Sequence, residues 1–242
     1  MKIIGIIPAR YHSSRFEGKP LCLIKGIPMI KRTFMQATQA SCLNDIYVAT
    51  DNELIYDYCK NESMPVIMTN VDCLTGTDRV AEVSRNISAD LYINIQGDEP
   101  VIDPLTIEEI ANEYKLYSDE YIAYNLYKMA DKKEATSDTI IKVITNNKDE
   151  LVYMSRSLIP FEKNNLQIQY KKQVCVYGFT KESLEVFSKF KKTPNEKHED
   201  IELLRFVDLG YKVKMKETKC VSIAVDIPND IVKVEEYLQN AK

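Results

Sequence analysis

Two groups of side chains in this chain suit charged-group chemistry, and they lie far apart in sequence. Near the amino end the loop PARYHSSRFEGKP (8–20) gathers Arg10, Arg15 and Lys19 around Ser14 and Gly18. Arginine offers fixed, forked donors and lysine a mobile point charge, so three such cations on one turn suit a polyphosphate. The glycine spacing fits neither GxGxxG nor GxxxxGK[ST], which makes this a phosphate loop of another kind. The acids come later. In YINIQGDEP (92–100) an apolar run stops at Gln96, turns on Gly97 and offers Asp98 and Glu99, and in SIAVDIPNDI (222–231) a second apolar run ends in Asp226. Magnesium takes one or two carboxylates together with substrate phosphates and water, so Asp98 and Asp226 on one ion would complete a triphosphate site. Asp226 could instead cap the final helix. A third motif, TGTDR (75–79), sets Thr75, Thr77 and Arg79 around Gly76 and could read a base or ribose, although Thr77 would serve equally as an ordinary N-cap.

Elements must bring these groups together. Apolar, β-rich runs at 2–8, 45–50, 65–69 and 90–96 alternate with helical spacing, as at 28–40, where Met29, Ile30, Thr33, Phe34 and Ala37 recur at three and four. That order predicts an α/β, Rossmann-like, mostly parallel sheet flanked by helices. Ligands of such sheets sit beyond the carboxyl ends of the strands, where both the 8–20 loop and the turn after Gln96 emerge. The second half reads as strands at 121–127, 140–145, 151–155 and 174–179, with an exposed excursion at 162–172. Helices follow at 181–190 and 198–209, strands at 211–216 and 222–225, and a last helix at 229–238. The chain reads as a single domain, 1–242, with a smaller inserted lobe near 121–180.

Bulk properties narrow the partners. At 242 residues a chain buries roughly 70–75% of its unfolded surface and needs no staple. A net charge of −4 argues against a nucleic-acid surface, which needs broad positive charge. Six cysteines without CxxC pairing and two histidines argue against a zinc site and for free thiols in a reducing cytoplasm. No apolar run approaches the ~18 residues of a membrane span, and no secretory leader is recognisable.

PARYHSSRFEGKPL, TGTDR, YINIQGDEP, SRSLIPF (155–161), VYGF (176–179), EDIELLR (199–205) and AVDIPNDI follow one another as in the 3-deoxy-manno-octulosonate (Kdo) cytidylyltransferases, which the chain resembles nearly end to end. The resemblance implies a fold of the nucleotide-diphospho-sugar transferase type and coupling of CTP to an acid sugar, giving CMP-Kdo and pyrophosphate. It also implies Mg2+ and a homodimer, with the 121–180 lobe contributing sugar binding and dimerisation. Position by position, it assigns Arg10, Ser14, Arg15 and Lys19 to the triphosphate and Thr75, Gly76, Thr77 and Arg79 to the neighbourhood of the cytidine. Asp98 and Asp226 become the metal ligands. Gln96, Arg156, Tyr177 and Glu202 line the sugar pocket, with Arg156 the partner for the sugar carboxylate and Gln173 beside it; Lys142 is a further candidate contact. Family members commonly carry histidine at Gln173, glycine at Cys175 and proline at Glu17. Glutamine cannot carry a proton near neutral pH, so the substitution bears on sugar identity and admits a Kdo variant such as an amino-substituted form, or another 2-keto acid sugar. Two rival readings are a nucleotide-sugar glycosyltransferase and a nucleotide-binding module without turnover.

Overall fold

The computed structural model describes residues 1–12, 16–118, 120–163 and 168–240. The first half alternates strand and helix: β1 (Ile3–Ala9), the short hairpin β2 (Leu23–Ile24) and β3 (Ile27–Pro28), α1 (Met29–Ala37), β4 (Asp45–Thr50), α2 (Glu53–Asn61), β5 (Val66–Met68), α3 (Gly76–Asn86), β6 (Leu91–Ile95) and α4 (Pro104–Tyr117). β1 pairs in parallel with β4 on one side and β6 on the other, and β4 carries β5. The chain thus leaves β1 in one direction and returns on its other side, which makes the carboxyl ends of β1 and β6 the switch point where a ligand crevice opens. The apolar run of β1 has a simple cause. Ile4 and Ile6 enter the core on one face of the sheet, while Ile3 and Ile7 enter the core on the other.

The second half extends the same sheet. It contains β7 (Ala123–Ala130), α5 (Lys132–Ala135), β8 (Lys142–Thr145), β9 (Leu151–Ser155), β10 (Tyr170–Phe179), α6 (Lys181–Lys189), α7 (Pro194–Glu199), α8 (Leu204–Asp208), β11 (Val213–Glu217) and α9 (Asp230–Asn240). The strand order is β11-β7-β10-β6-β1-β4-β5, with β10 antiparallel between β6 and β7 and the β8–β9 pair attached to β10. Residues 121–180 therefore supply two strands inside the sheet and a hairpin beside it. The β10 ladder slips between Val174 and Tyr177. Buried Asn125 fills the gap by donating to the carbonyls of Val174 (2.8 Å) and Val176 (2.7 Å).

Three predicted stretches differ. The exposed excursion at 162–172 is cut short by β10, which already begins at buried Tyr170. The helical pattern of 198–209 is broken at Asp200, whose φ of +52° ends α7, so Ile201 to Leu203 form a turn and the helix resumes only at Leu204. The segment 219–226 lies in no strand: Ile223 and Val225 look strand-like because they pack with Ile24, Met29, Val101 and Val234 rather than in a ladder. Among the described residues no helix is long and apolar enough to cross a membrane.

Lys142 has a structural role. Its fully buried side chain donates to the carbonyls of Ser137 (2.8 Å), Ile140 (2.6 Å) and Arg156 (2.5 Å), which occupies all three of its N–H donors and leaves none for a ligand. Burial holds its pKa below the usual lysine value. Lys142→Met leaves three carbonyls without that donor and is expected to cost about 2 kcal/mol in urea denaturation.

Candidate active site

The turn after β6 is built to approach β1. A Cβ on Gly97 would lie 2.9 Å from the carbonyl oxygen of Pro8, so only glycine lets this turn close over the end of β1. Asp98 follows immediately. On the other side, Gly18, at φ +66°, donates its N–H to the carbonyl of Tyr11 (2.8 Å) and starts the short 3-10 turn Lys19–Leu21. That turn aims Lys19 across the crevice, where Nζ lies 2.7 Å from Asp98 Oδ2 and 3.0 Å from the carbonyl of Val225. The N–H of Val225 in turn donates to the carbonyl of Asp98 at 2.9 Å. This backbone bond brings Asp226 beside Asp98. Helix α9 begins four residues later, and it is Asp230 that accepts from the N–H groups of Asp226 and Ile227 (3.0 and 3.1 Å), so Asp226 is not the helix cap.

The resulting cleft, about 390 Å³, is lined by Arg10, Lys19, Gly76, Arg79, Gln96, Asp98, Glu202 and Asp226 of the predicted residues. His12 and Asp200 also reach it. A larger cavity on the outer flank of α3, between Asn70–Leu74 and the α6–α7 region, contains neither Asp98 nor Lys19. Arg79 is fully buried, with its guanidinium held by Asp51 (2.9 Å) and Thr69 (2.5 Å). Arg10 is exposed and donates to the carbonyl of Leu74 at 3.3 Å. Ser14 and Arg15 lie outside the described residues.

Five predicted residues stand outside the lining. Thr75 is the N-cap of α3, completing a capping box with Asp78, and Thr77 is buried in the first turn, where its N–H donates to Glu202 (3.0 Å). The N-cap is therefore Thr75 rather than Thr77. Arg156 donates to the carbonyls of Glu199 (2.7 Å), Asp138 (3.3 Å) and Asp200 (3.4 Å), and so braces the turn that bears Asp200. Gln173 Nε2 donates to Asn125 Oδ1 at 3.3 Å. Tyr177 stacks on Phe179 at 6.0 Å between ring centroids, its hydroxyl hydrogen-bonded to Cys175.

Burial sets the protonation of the inner wall. Glu99 turns away from the cleft, and burial, with Asp98 close by, pushes its pKa up to about 8. Burial raises Glu202 as well. The Cys175 thiol is pushed up by burial and then by Glu99 and Asp98, and the Tyr177 hydroxyl by burial and then by Cys175 and Glu202. A thiol held protonated in this way is no nucleophile.

Among the described residues no group of three or more His, Cys, Asp or Glu could hold a metal ion by itself. Two aspartates opening on one cleft beside Lys19 are nonetheless the hard oxygen donors that magnesium uses when substrate phosphates and water complete its shell. The donor set fits Mg2+. The sequence pattern does not mark Asp200, whose place in the cleft follows from the break at its own backbone.

An α/β sheet whose switch point joins a cationic turn to two converging carboxylates defines a nucleotidyltransferase-type site, and a family model described as Cytidylyltransferase matches residues 4–222. The 3-deoxy-manno-octulosonate cytidylyltransferase of Fusobacterium nucleatum is 38% identical over 99% of this chain and 98% of its own length. The 8-amino-3,8-dideoxy-manno-octulosonate cytidylyltransferase of Shewanella frigidimarina is 38% identical over 97% of this chain and 98% of its own. A CMP:2-keto-3-deoxy-manno-octonic acid synthetase solved with CTP superposes with a TM-score of 0.94 at 32% identity, covering 100% of both chains. The chain belongs to the 3-deoxy-manno-octulosonate cytidylyltransferase family.

Proposed function

We propose that this protein couples CTP to an acid sugar of the 3-deoxy-manno-octulosonate type, releasing pyrophosphate. The observation that carries the reading is the convergence of Lys19, Asp98 and Asp226 on one cleft at the switch point. The anomeric hydroxyl of the sugar attacks the α-phosphorus of CTP in line. The new C–O–P linkage forms, the bond from the α-phosphorus to the bridging oxygen breaks to release pyrophosphate, and the hydroxyl proton passes to solvent. No covalent enzyme intermediate is involved, in keeping with the protonated Cys175. Phosphoryl-type transfer asks mainly for positioning and charge stabilisation. Arg10 and Lys19, with Ser14 and Arg15 of the same loop, hold the triphosphate and stabilise the charge that builds on pyrophosphate. Thr75, Gly76, Thr77 and Arg79 shape the end that takes the cytidine. Gln96, Glu202, Tyr177 and Gln173 form the sugar side and the wall behind it, and Arg156 braces the turn that carries Asp200 into the cleft. Asp98 and Asp226 would hold Mg2+, which when bound neutralises phosphate charge as a Lewis acid.

The working unit is a single nucleotidyltransferase domain acting in the cytoplasm as a homodimer. Exposed Val152, Leu158 and Phe161, within the 121–180 region, support a self-association surface there. Pyrophosphate release with CTP and Mg2+ across Kdo, its 8-amino-8-deoxy form and other 2-keto acid sugars tests the reading, with UTP in parallel. The expected result is one pyrophosphate per CMP-sugar with CTP and at least one of these acceptors. Release of a nucleoside diphosphate from a nucleotide sugar would mark a glycosyltransferase, and CTP binding without turnover a regulatory module.

A further inference from the structure

The segment 220–226 carries a carboxylate into the cleft although no sheet ladder holds it. Its backbone polar groups and its register must therefore be fixed by other partners. Those partners are on the turn after β6. The N–H of Asp103 donates to the carbonyl of Val221 at 3.4 Å, and that of Val225 donates to the carbonyl of Asp98 at 2.9 Å. Between these two ties, Ser222 Oγ donates to both oxygens of Glu99, at 2.8 and 3.0 Å, and the N–H of Ile223 donates to the same carboxylate. Glu99 is 3% exposed and is not among the cleft-lining residues, so it has no evident way to touch a ligand. The apolar side chains of Ile223 and Val225 anchor the segment to the hairpin and α9, but apolar packing is non-directional and sets register poorly. A carboxyl group receiving a hydroxyl and an adjacent amide does so sharply, because both donors lose their partner if the segment slips by one residue.

We infer that Glu99 is a positioning residue that latches the 220–226 segment through Ser222 and Ile223 and thereby sets Asp226 against Asp98. The inference rests on the reading of Asp98 and Asp226 as the pair that holds the divalent ion. The two consecutive acids of the QGDEP turn divide the work: Asp98 faces the cleft, and Glu99 fixes the remote segment that supplies the other carboxylate. Partners that orient metal ligands in this way typically change metal affinity about 10- to 100-fold when removed.

The test uses the full chain, with Mn2+ as the spectroscopic probe ion and CTP present. Glu99→Ala, Glu99→Gln and Ser222→Ala are compared with Asp98→Asn and Asp226→Asn, each checked for native circular dichroism. Hydrogen exchange at the Ile223 and Val225 amides reports the latch, and Mn2+ binding by electron paramagnetic resonance reports the aspartate pair. In Glu99→Ala both amides should lose protection and Mn2+ affinity should fall about 10- to 100-fold, with turnover recovering toward wild type at saturating metal. Ser222→Ala, which leaves the 96–100 turn intact, should move both readouts in the same direction by less. Glu99→Gln should stay within about threefold of wild type, since its amide oxygen still accepts from Ser222 and Ile223. Unchanged amide protection in Glu99→Ala overturns the latch. So does wild-type Mn2+ affinity in that variant when Asp98→Asn and Asp226→Asn weaken it, or a Glu99→Gln defect as large as that of Glu99→Ala. If the two aspartate variants bind Mn2+ as the wild type does, the cation pairing fails on its own account, and amide protection alone decides the latch.

Discussion

Asp98→Asn is expected to lower turnover with CTP and an accepted acid sugar by on the order of 10²–10³-fold, the loss that accompanies removal of one charge contact at the reacting group. The substitution keeps shape and hydrogen bonding but removes a full negative charge from the point where the cleft's cation and its second carboxylate meet. Stability should change little. The Lys19–Asp98 pair is partly exposed, at 17% and 24% of the side chains, and such pairs contribute at most about 1 kcal/mol. Lys19 also retains the carbonyl of Val225. Steady-state kinetics paired with urea denaturation checks both halves: turnover within a few-fold of wild type would remove Asp98 from the chemistry.

Glu196→Gln should produce the largest loss of stability. Glu196 and Arg205 are 1% and 2% exposed and meet through two bonds, Nε to Oε2 at 2.6 Å and Nη2 to Oε1 at 2.5 Å. Nη1 donates to the carbonyls of Phe187 (2.7 Å) and Phe190 (3.1 Å), and the group lies 3.6 Å from the Phe187 ring centroid. Neutralising the glutamate leaves a buried cation whose other carboxylate, Asp78, is 3.8 Å away. Breaking one side of such a pair costs about 3–5 kcal/mol, and the double variant Glu196→Gln/Arg205→Met should recover much of it because the stranded charge is gone. Chemical denaturation of the single and double variants measures this, and equal losses in both would show that packing rather than the unpaired charge carries the cost. Catalytic consequences should follow, because α7 and α8 flank the turn that bears Asp200 and Glu202.

What was legible in the sequence follows from which forces act locally. β1, β4 and β6 could be read to within a residue because strands covered on both faces need unbroken apolar runs. Arg10 and Asp98 could be placed because charged residues just beyond such runs have one place to go, the carboxyl edge of the sheet, whereas Asp226 reaches the cleft on a segment that is not a strand. The reversed insertion of β10 between β6 and β7 left no mark, since pairing across more than 40 residues of chain does not alter the period of either strand. The break at Asp200 was hidden inside a helical pattern, and 222–225 imitated a strand because the same alternation serves packing against α9 and the hairpin. Arg156 was read toward the sugar, but its bonds go to the turn at 199–200, and only coordinates distinguish an arginine that binds from one that braces.

The central claim is that the amino-terminal cations and two carboxylates more than a hundred residues apart serve one triphosphate and one divalent ion. A crystal of this protein grown with CTP and Mn2+, with data collected at the manganese edge, tests it directly. The account predicts a single anomalous peak in contact with carboxylate oxygens of both Asp98 and Asp226, and the triphosphate within reach of Lys19 and Arg10. Manganese bound to only one of those aspartates, or CTP seated away from Lys19, would contradict it.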